Sequence, residues 1–232
     1  LTRLKKSLQY KINIVETKEE GKNGITIFGM SCNMISFLFF AILSICFGAP
    51  ALAMNKEMII VRESMSSMTN STRNKEFFLA SSSFALLVWT LSMLMMLFTF
   101  GFEILSNTNG KLILLGSFIA TFGLSGITFL MATISPNQSV LTLLQVTIGL
   151  LIHFGSGIFI PRHLVGEAFQ KLVSIASPIW QVKAYEIILS AETLTANSLG
   201  EIKHYFLIML LIGLAYYAIS FVIMRFRNVE NN

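Results

Sequence analysis

Three polar side chains stand alone inside long apolar stretches: Asn33, Gln145 and His153. A histidine exchanges its proton near neutral pH, so a row of such groups inside a membrane would mark a proton route. His153 is flanked by Leu151, Ile152 and Phe154 and forms no row. The chemistry that fits it better is a hydrogen bond to a neighbouring helix or the lining of a polar cavity. Asn33 and Gln145 fit the same role, as links between helices. The two cysteines, Cys32 and Cys46, fall within one apolar stretch, where helical rise sets them about 21 Å apart, too far to bridge each other.

Motifs that would bring further chemistry are absent. The chain has no GxxxxGK[ST] phosphate loop, no HExxH, no CxxC and no GxSxG. No residue is therefore singled out as catalytic, cofactor-binding or metal-binding. Any ATP has to be handled by another chain.

The elements that carry these residues follow from where the charges lie. Of 232 residues, 54% are hydrophobic and 12% charged, about half the charged share of a soluble domain. No Asp, Glu, Lys or Arg occurs between Lys22 and Lys56, Glu76 and Glu103, Lys111 and Arg162, or Lys203 and Arg225. A helix needs roughly 20 apolar residues to cross a hydrocarbon core about 30 Å thick, so each gap accommodates at least one crossing. The longest gap is broken by the polar turn Ser135-Pro136-Asn137-Gln138-Ser139 and reads as a helical hairpin. Five spans result, at 26–54, 77–102, 112–134, 140–161 and 204–224. Runs such as Ile35 to Phe47 do not alternate as barrel strands do, so the class is all-α: a polytopic transmembrane bundle.

The net charge of +5 reads as basic residues flanking spans and meeting lipid headgroups, not as a nucleic-acid surface. Gly116, Gly123 and Gly126 in one helix, and Gly149, Gly155 and Gly157 in the next, suit close helix packing. The 20 Phe and 12 Met read as lipid-facing filler.

Residues 1–24 hold Arg3, Lys5, Lys6, Lys11, Lys18 and Lys22 against three glutamates and no apolar run, as would the end of an external or interfacial segment. Residues 25–232 form the transmembrane domain. Within it, 55–76 is a loop in which charged residues flank a serine-rich run, with Met58, Ile59, Val61, Met65 and Met68 at roughly helical spacing. Residues 162–203 mix charges with two short apolar faces separated by Ser177-Pro178, which reads as two short helices dipping into or lying on the membrane.

The order of these parts resembles the ABC type-2 permease family, the membrane subunits of ATP-driven exporters. Three passages carry the likeness: the Arg62-Glu63 loop, Ile134-Ser135-Pro136-Asn137, and Ser177-Pro178-Ile179-Trp180. Together they cover about 200 residues in family order. The resemblance implies a type V exporter-like bundle of six spans, the first lying upstream of Leu1. It implies that 55–76 is the helix docking on the ATPase, through Lys56, Glu57, Arg62, Glu63, Arg73 and Lys75. It also implies that 168–191 is a re-entrant external element, with Ser177, Pro178 and Trp180 at the outer gate.

The partners so implied are a pair of ATP-binding cassette subunits, which hold ATP and Mg, and a second permease subunit, identical or sister, within the membrane lipid of a bacterial cell. The implied chain is multi-pass in the cell membrane, and the implied activity is export of an amphiphile such as a peptide antibiotic, lipid or drug. One rule opposes the implied orientation. Residues 1–24 and 162–203 together hold more Lys and Arg than the 55–76 loop and the tail, which favours the flipped arrangement, although that rule fails for long translocated segments. Two other readings remain: a secondary transporter or channel, which would show ionisable groups at mid-membrane, and a membrane partner that transports nothing.

Overall fold

The computed structural model describes residues 2–54, 70–191 and 194–230, with side chains described for 24–54, 72–191 and 194–226. Every regular element among them is helical. In chain order these are α1 (Thr2–Met54), α2 (Asn70–Phe100), α3 (Thr108–Ile134), α4 (Gln138–Gly155), α5 (Glu167–Val173), α6 (Ser177–Ser190) and α7 (Ala196–Glu230). Single 3-10 turns cover Phe102–Ser106 and Arg162–Leu164. Five of the helices are long and apolar enough to cross a membrane: α1 from Gly24, α2, α3, α4 and α7.

Local chemistry explains where the helices stop. At the polar turn, the Ser135 hydroxyl donates to the Met131 carbonyl (2.6 Å) and the Asn137 side chain accepts from the Val140 amide (3.0 Å), so one residue triplet ends α3 and caps α4. Asn107 caps α3 in the same way, accepting from the Asn109 amide at 2.9 Å.

Helix ends and charge-gap spans agree in some places and differ in others. Helix α1 is continuous back to Thr2, while its apolar window starts at Gly24, close to the expected 26. Helix α2 begins at Asn70, so its first turns absorb residues 70–76 of the expected loop. Helix α4 stops at Gly155, six residues before 161, because Gly157 takes a φ of 91°, a left-handed conformation that suits glycine. Helix α7 starts at Ala196, eight residues before 204. Charge gaps locate the apolar window of a helix, whereas hydrogen bonding locates its ends.

Helix α3 is the centre. Its apolar window is 67% buried, against 17% for α2. The reason is visible in its small residues, which let neighbouring backbones close in. A Cβ added at Gly126 would lie 2.8 Å from the Gly213 carbonyl oxygen of α7, and one at Gly123 would lie 2.6 Å from the Ser177 Cβ of α6. The hydroxyls on α3 turn back onto their own helix, as in Thr121 to Ser117 O (2.8 Å) and Thr133 to Phe129 O (2.9 Å), so they leave no polar atom to lipid. By contrast α2 presents Leu79, Met95 and Phe98 outward, as a lipid-facing helix would.

Helix α4 runs back along α1. Leu141 packs at Gly48, Gln145 reaches Ala41, Phe40 packs at Gly149 and His153 meets Phe37. A ring cluster of Phe47, Phe77, Phe78, Phe129, Tyr217 and Phe221 closes one end of the bundle, with Phe77 stacked on Phe129 at 5.1 Å. At the other end α5 and α6 fold in as a hairpin.

Candidate functional site

Helix α6 is short and lies between two spans, yet its inner face is among the most buried surfaces in the molecule. Ser177, Gln181, Tyr185 and Ile188 are each fully buried. The first three recur every four residues, which places their polar atoms in one stripe along the helix. Each stripe residue bonds a backbone carbonyl outside its own helix, two on α3 and one on α1. The Ser177 hydroxyl donates to Ala120 O of α3 (3.2 Å), Gln181 Nε2 to Cys32 O of α1 (3.4 Å), and the Tyr185 hydroxyl to Ile113 O of α3 (2.6 Å).

Further ties come from outside the hairpin. Asn109 donates to Ile188 O (3.2 Å), and the Tyr216 hydroxyl of α7 donates to Ile175 O (3.0 Å). Thus α6 is pinned to α1 and α3, and the turn before it to α7, without α6 being a spanning element. Pro178 occupies the first turn of α6, where its missing amide hydrogen costs nothing.

Around the hairpin the polar groups change character. Trp180 donates to Ser174 O (2.8 Å), faces Tyr205 at 5.7 Å between ring centroids, and carries the Lys183 ammonium 4.4 Å above its ring. Burial and the nearby Arg162 charge hold the Lys183 pKa below the usual lysine value, with Glu186 opposing them. Arg162 forms a two-pronged ion pair with Glu186, tying the turn after α4 to α6. Both partners are partly exposed, so the pair is worth at most about 1 kcal/mol. Replacing Glu186 with glutamine should therefore change global stability by less than about 1 kcal/mol, as read by denaturant titration.

The residues picked out from sequence fall into three groups. Ser177, Pro178 and Trp180 come together on the hairpin, Ser177 and Pro178 buried and Trp180 half-buried. Arg73 and Lys75 sit on the first turns of α2, while Lys56, Glu57, Arg62 and Glu63 lie outside the described residues.

Asn33, Gln145 and His153 line the meeting of α1 with its neighbours. Gln145 Nε2 approaches Ala41 O at 3.5 Å, and His153 Nδ1 lies 2.7 Å from Gly149 O with its ring against Phe37, Phe40 and Phe159. Gln145 reaches across to a carbonyl of another helix; His153 turns to the Gly149 carbonyl of its own helix and packs on aromatic rings.

Neither Gln181 nor Tyr185 stands out in the sequence. The signal was present: polar groups at 177, 181 and 185 share one helical face. No group of three or more His, Cys, Asp or Glu able to hold a metal occurs among the described residues.

A geometric polarity emerges. Helix α6 packs against the first half of α3, the start of α7 and the Phe28–Cys32 part of α1, while α5 rests on the end of α4 at Gly155. The end of α1 and the start of α2, which bracket residues 55–69, meet the aromatic cluster at the opposite end. Comparison with protein-family models, with curated proteins and with solved structures finds no match to this chain.

Proposed function

We propose that this chain is the membrane permease subunit of an ATP-driven exporter of the ABC type-2 kind, moving an amphiphilic substrate out of a bacterial cell. ATP is hydrolysed on a separate pair of ATP-binding subunits. A second permease subunit completes the path. The observation that supports the reading best is the placement of the buried, non-spanning α6 at one end of the bundle and of the charged first turns of α2, with Arg73 and Lys75, at the other, with α1 and α3 running between them. In such a device, closure of the ATPase pair pushes one end, and the bundle passes between two states that open on opposite sides.

The long charge-free stretches within the five apolar helices α1, α2, α3, α4 and α7 support a mechanical rather than an ion-driven device. The residues assigned to the ATPase contact are Lys56, Glu57, Arg62, Glu63, Arg73 and Lys75. Ser177, Pro178 and Trp180 belong to the outer gate.

Purification of the tagged chain in mild detergent from its native membrane tests the proposal. A nucleotide-hydrolysing subunit should be retained in stoichiometric amount, and its ATPase activity should respond to candidate amphiphiles. The charge-reversed pair Arg62→Glu and Glu63→Arg should leave ATP hydrolysis running while export falls at least tenfold. Purification without any ATPase, or unchanged export in the reversed variant, contradicts the assignment.

A further inference from the structure

A crevice of about 190 Å³ opens between α2, α3 and α7, lined by Ser82, Ala85, Trp89, Thr121, Ser125 and Tyr217, with Leu86 and Phe118 at its rim. The rim residues are 52% and 41% exposed, so the space is reached from the side of the bundle, not from its interior. Ser82–Trp89 lies midway along the apolar part of α2, and Phe118–Ser125 midway along α3. The opening therefore faces the depth at which a surrounding bilayer offers hydrocarbon and no water.

The polar atoms in the wall are already engaged. Trp89 Nε1 donates to Ser117 Oγ (3.0 Å), Thr121 Oγ1 to Ser117 O (2.8 Å), Ser125 Oγ to Phe122 O (2.7 Å), and the Tyr217 hydroxyl to Ser125 Oγ (2.7 Å). A polar ligand would gain little there, and a headgroup nothing. An apolar cavity of about 150 Å³ stays dry and takes up small hydrocarbons, so this larger space admits a stretch of alkyl chain.

We infer that the crevice holds one acyl chain of a membrane phospholipid, wedged between the loosely packed α2 and the α3–α7 pair. The inference stands independently of the exporter reading. An empty notch at this depth would leave the rings of Trp89 and Phe118, 5.0 Å apart, without partner atoms on one side. A bound chain supplies those contacts and braces α2, whose window is only 17% buried in protein.

Trp89 provides the readout, since the sequence has two tryptophans and Trp180 lies on the hairpin at another place in the fold. With Trp180→Phe as background, the full chain in detergent is titrated with phosphatidylcholine brominated at mid-chain. Trp89 fluorescence should fall by at least half and saturate near one lipid per chain. Ala85→Leu and Thr121→Leu, which fill the crevice from α2 and from α3, should each weaken the saturable step at least tenfold. Either variant suffices if the other fails to fold.

Phosphatidylglycerol brominated in the same position should saturate at the same concentration, because the wall offers the headgroup nothing. Quenching that rises linearly without saturation overturns the inference, as does a saturable step that both filled variants retain. An affinity that follows the headgroup overturns it too, by placing the contact at the membrane surface.

Discussion

Replacing Gly126 with leucine should lower the unfolding free energy by about 3 kcal/mol or more, the upper end of what overpacking costs. The neighbours leave no cheap escape. A Cβ at this position meets the Gly213 carbonyl oxygen at 2.8 Å, the Tyr216 Cβ at 3.2 Å and the Gly213 Cα at 3.3 Å. Two of these three atoms are backbone, which cannot rotate away, so α3 and α7 must separate along the line where they approach most closely. The internal control is Gly200→Leu on α7, where nothing lies within 4 Å of an added Cβ. There the better helix propensity of leucine should give a gain of up to about 1 kcal/mol. Unfolding in graded sodium dodecyl sulfate, followed by circular dichroism, measures both. Equal effects at the two glycines would show that the α3–α7 contact does not hold the bundle together.

The second large effect concerns Tyr185. It is the largest of the fully buried side chains, and truncation to alanine removes a ring as well as the hydrogen bond to Ile113 O. Loss of a buried aromatic ring costs about 3–5 kcal/mol in soluble cores. Tyr185→Phe removes the hydrogen bond alone and should cost about 1 kcal/mol, close to what such bonds contribute between membrane helices.

The nearby thiol turns this difference into a local measurement. Cys32 is 1% exposed, and its carbonyl holds Gln181 of α6. In a Cys46→Ser background, an uncharged maleimide should label Cys32 at least tenfold faster in Tyr185→Ala than in the parent chain, since 1.4 kcal/mol of local destabilisation already gives a factor of ten in opening. Tyr185→Phe should stay within about tenfold of the parent. Unchanged labelling in the alanine variant would mean that α6 keeps its seat without Tyr185.

How much of this was legible in advance depended on whether the signal was local. The turn at Ser135-Pro136-Asn137 was readable because proline and a capping asparagine act within a few residues. The glycines of α3 were readable as packing residues because only small side chains allow helix backbones to approach. The stop at Gly155 was not, because the run stays uncharged to Pro161 and the break lies in a single positive φ at Gly157. The start of α7 at Ala196 was hidden for the converse reason: Glu201, Lys203 and His204 lie on helical turns that precede its most apolar part.

In the hairpin, the Ser-Pro pair was visible as a boundary, and it is the first turn of α6. What sequence could not show was the tertiary outcome. Burial of Gln181 and Tyr185 depends on where Cys32 and Ile113 lie, 149 and 72 residues away along the chain. The crevice is likewise made by three helices whose mutual spacing no single stretch encodes.

The unbroken α1 has a mechanical consequence. Its 53 residues form a rod about 80 Å long, of which the part preceding Gly24 extends roughly 33 Å beyond the apolar window. A continuous ladder of hydrogen bonds resists bending, so a sideways displacement at one tip swings the opposite tip the other way, about a fulcrum at the waist of the bundle. The only proline in that rod, Pro50, lies in its last two turns, which leaves the long arm stiff and confines compliance to the end next to residue 55.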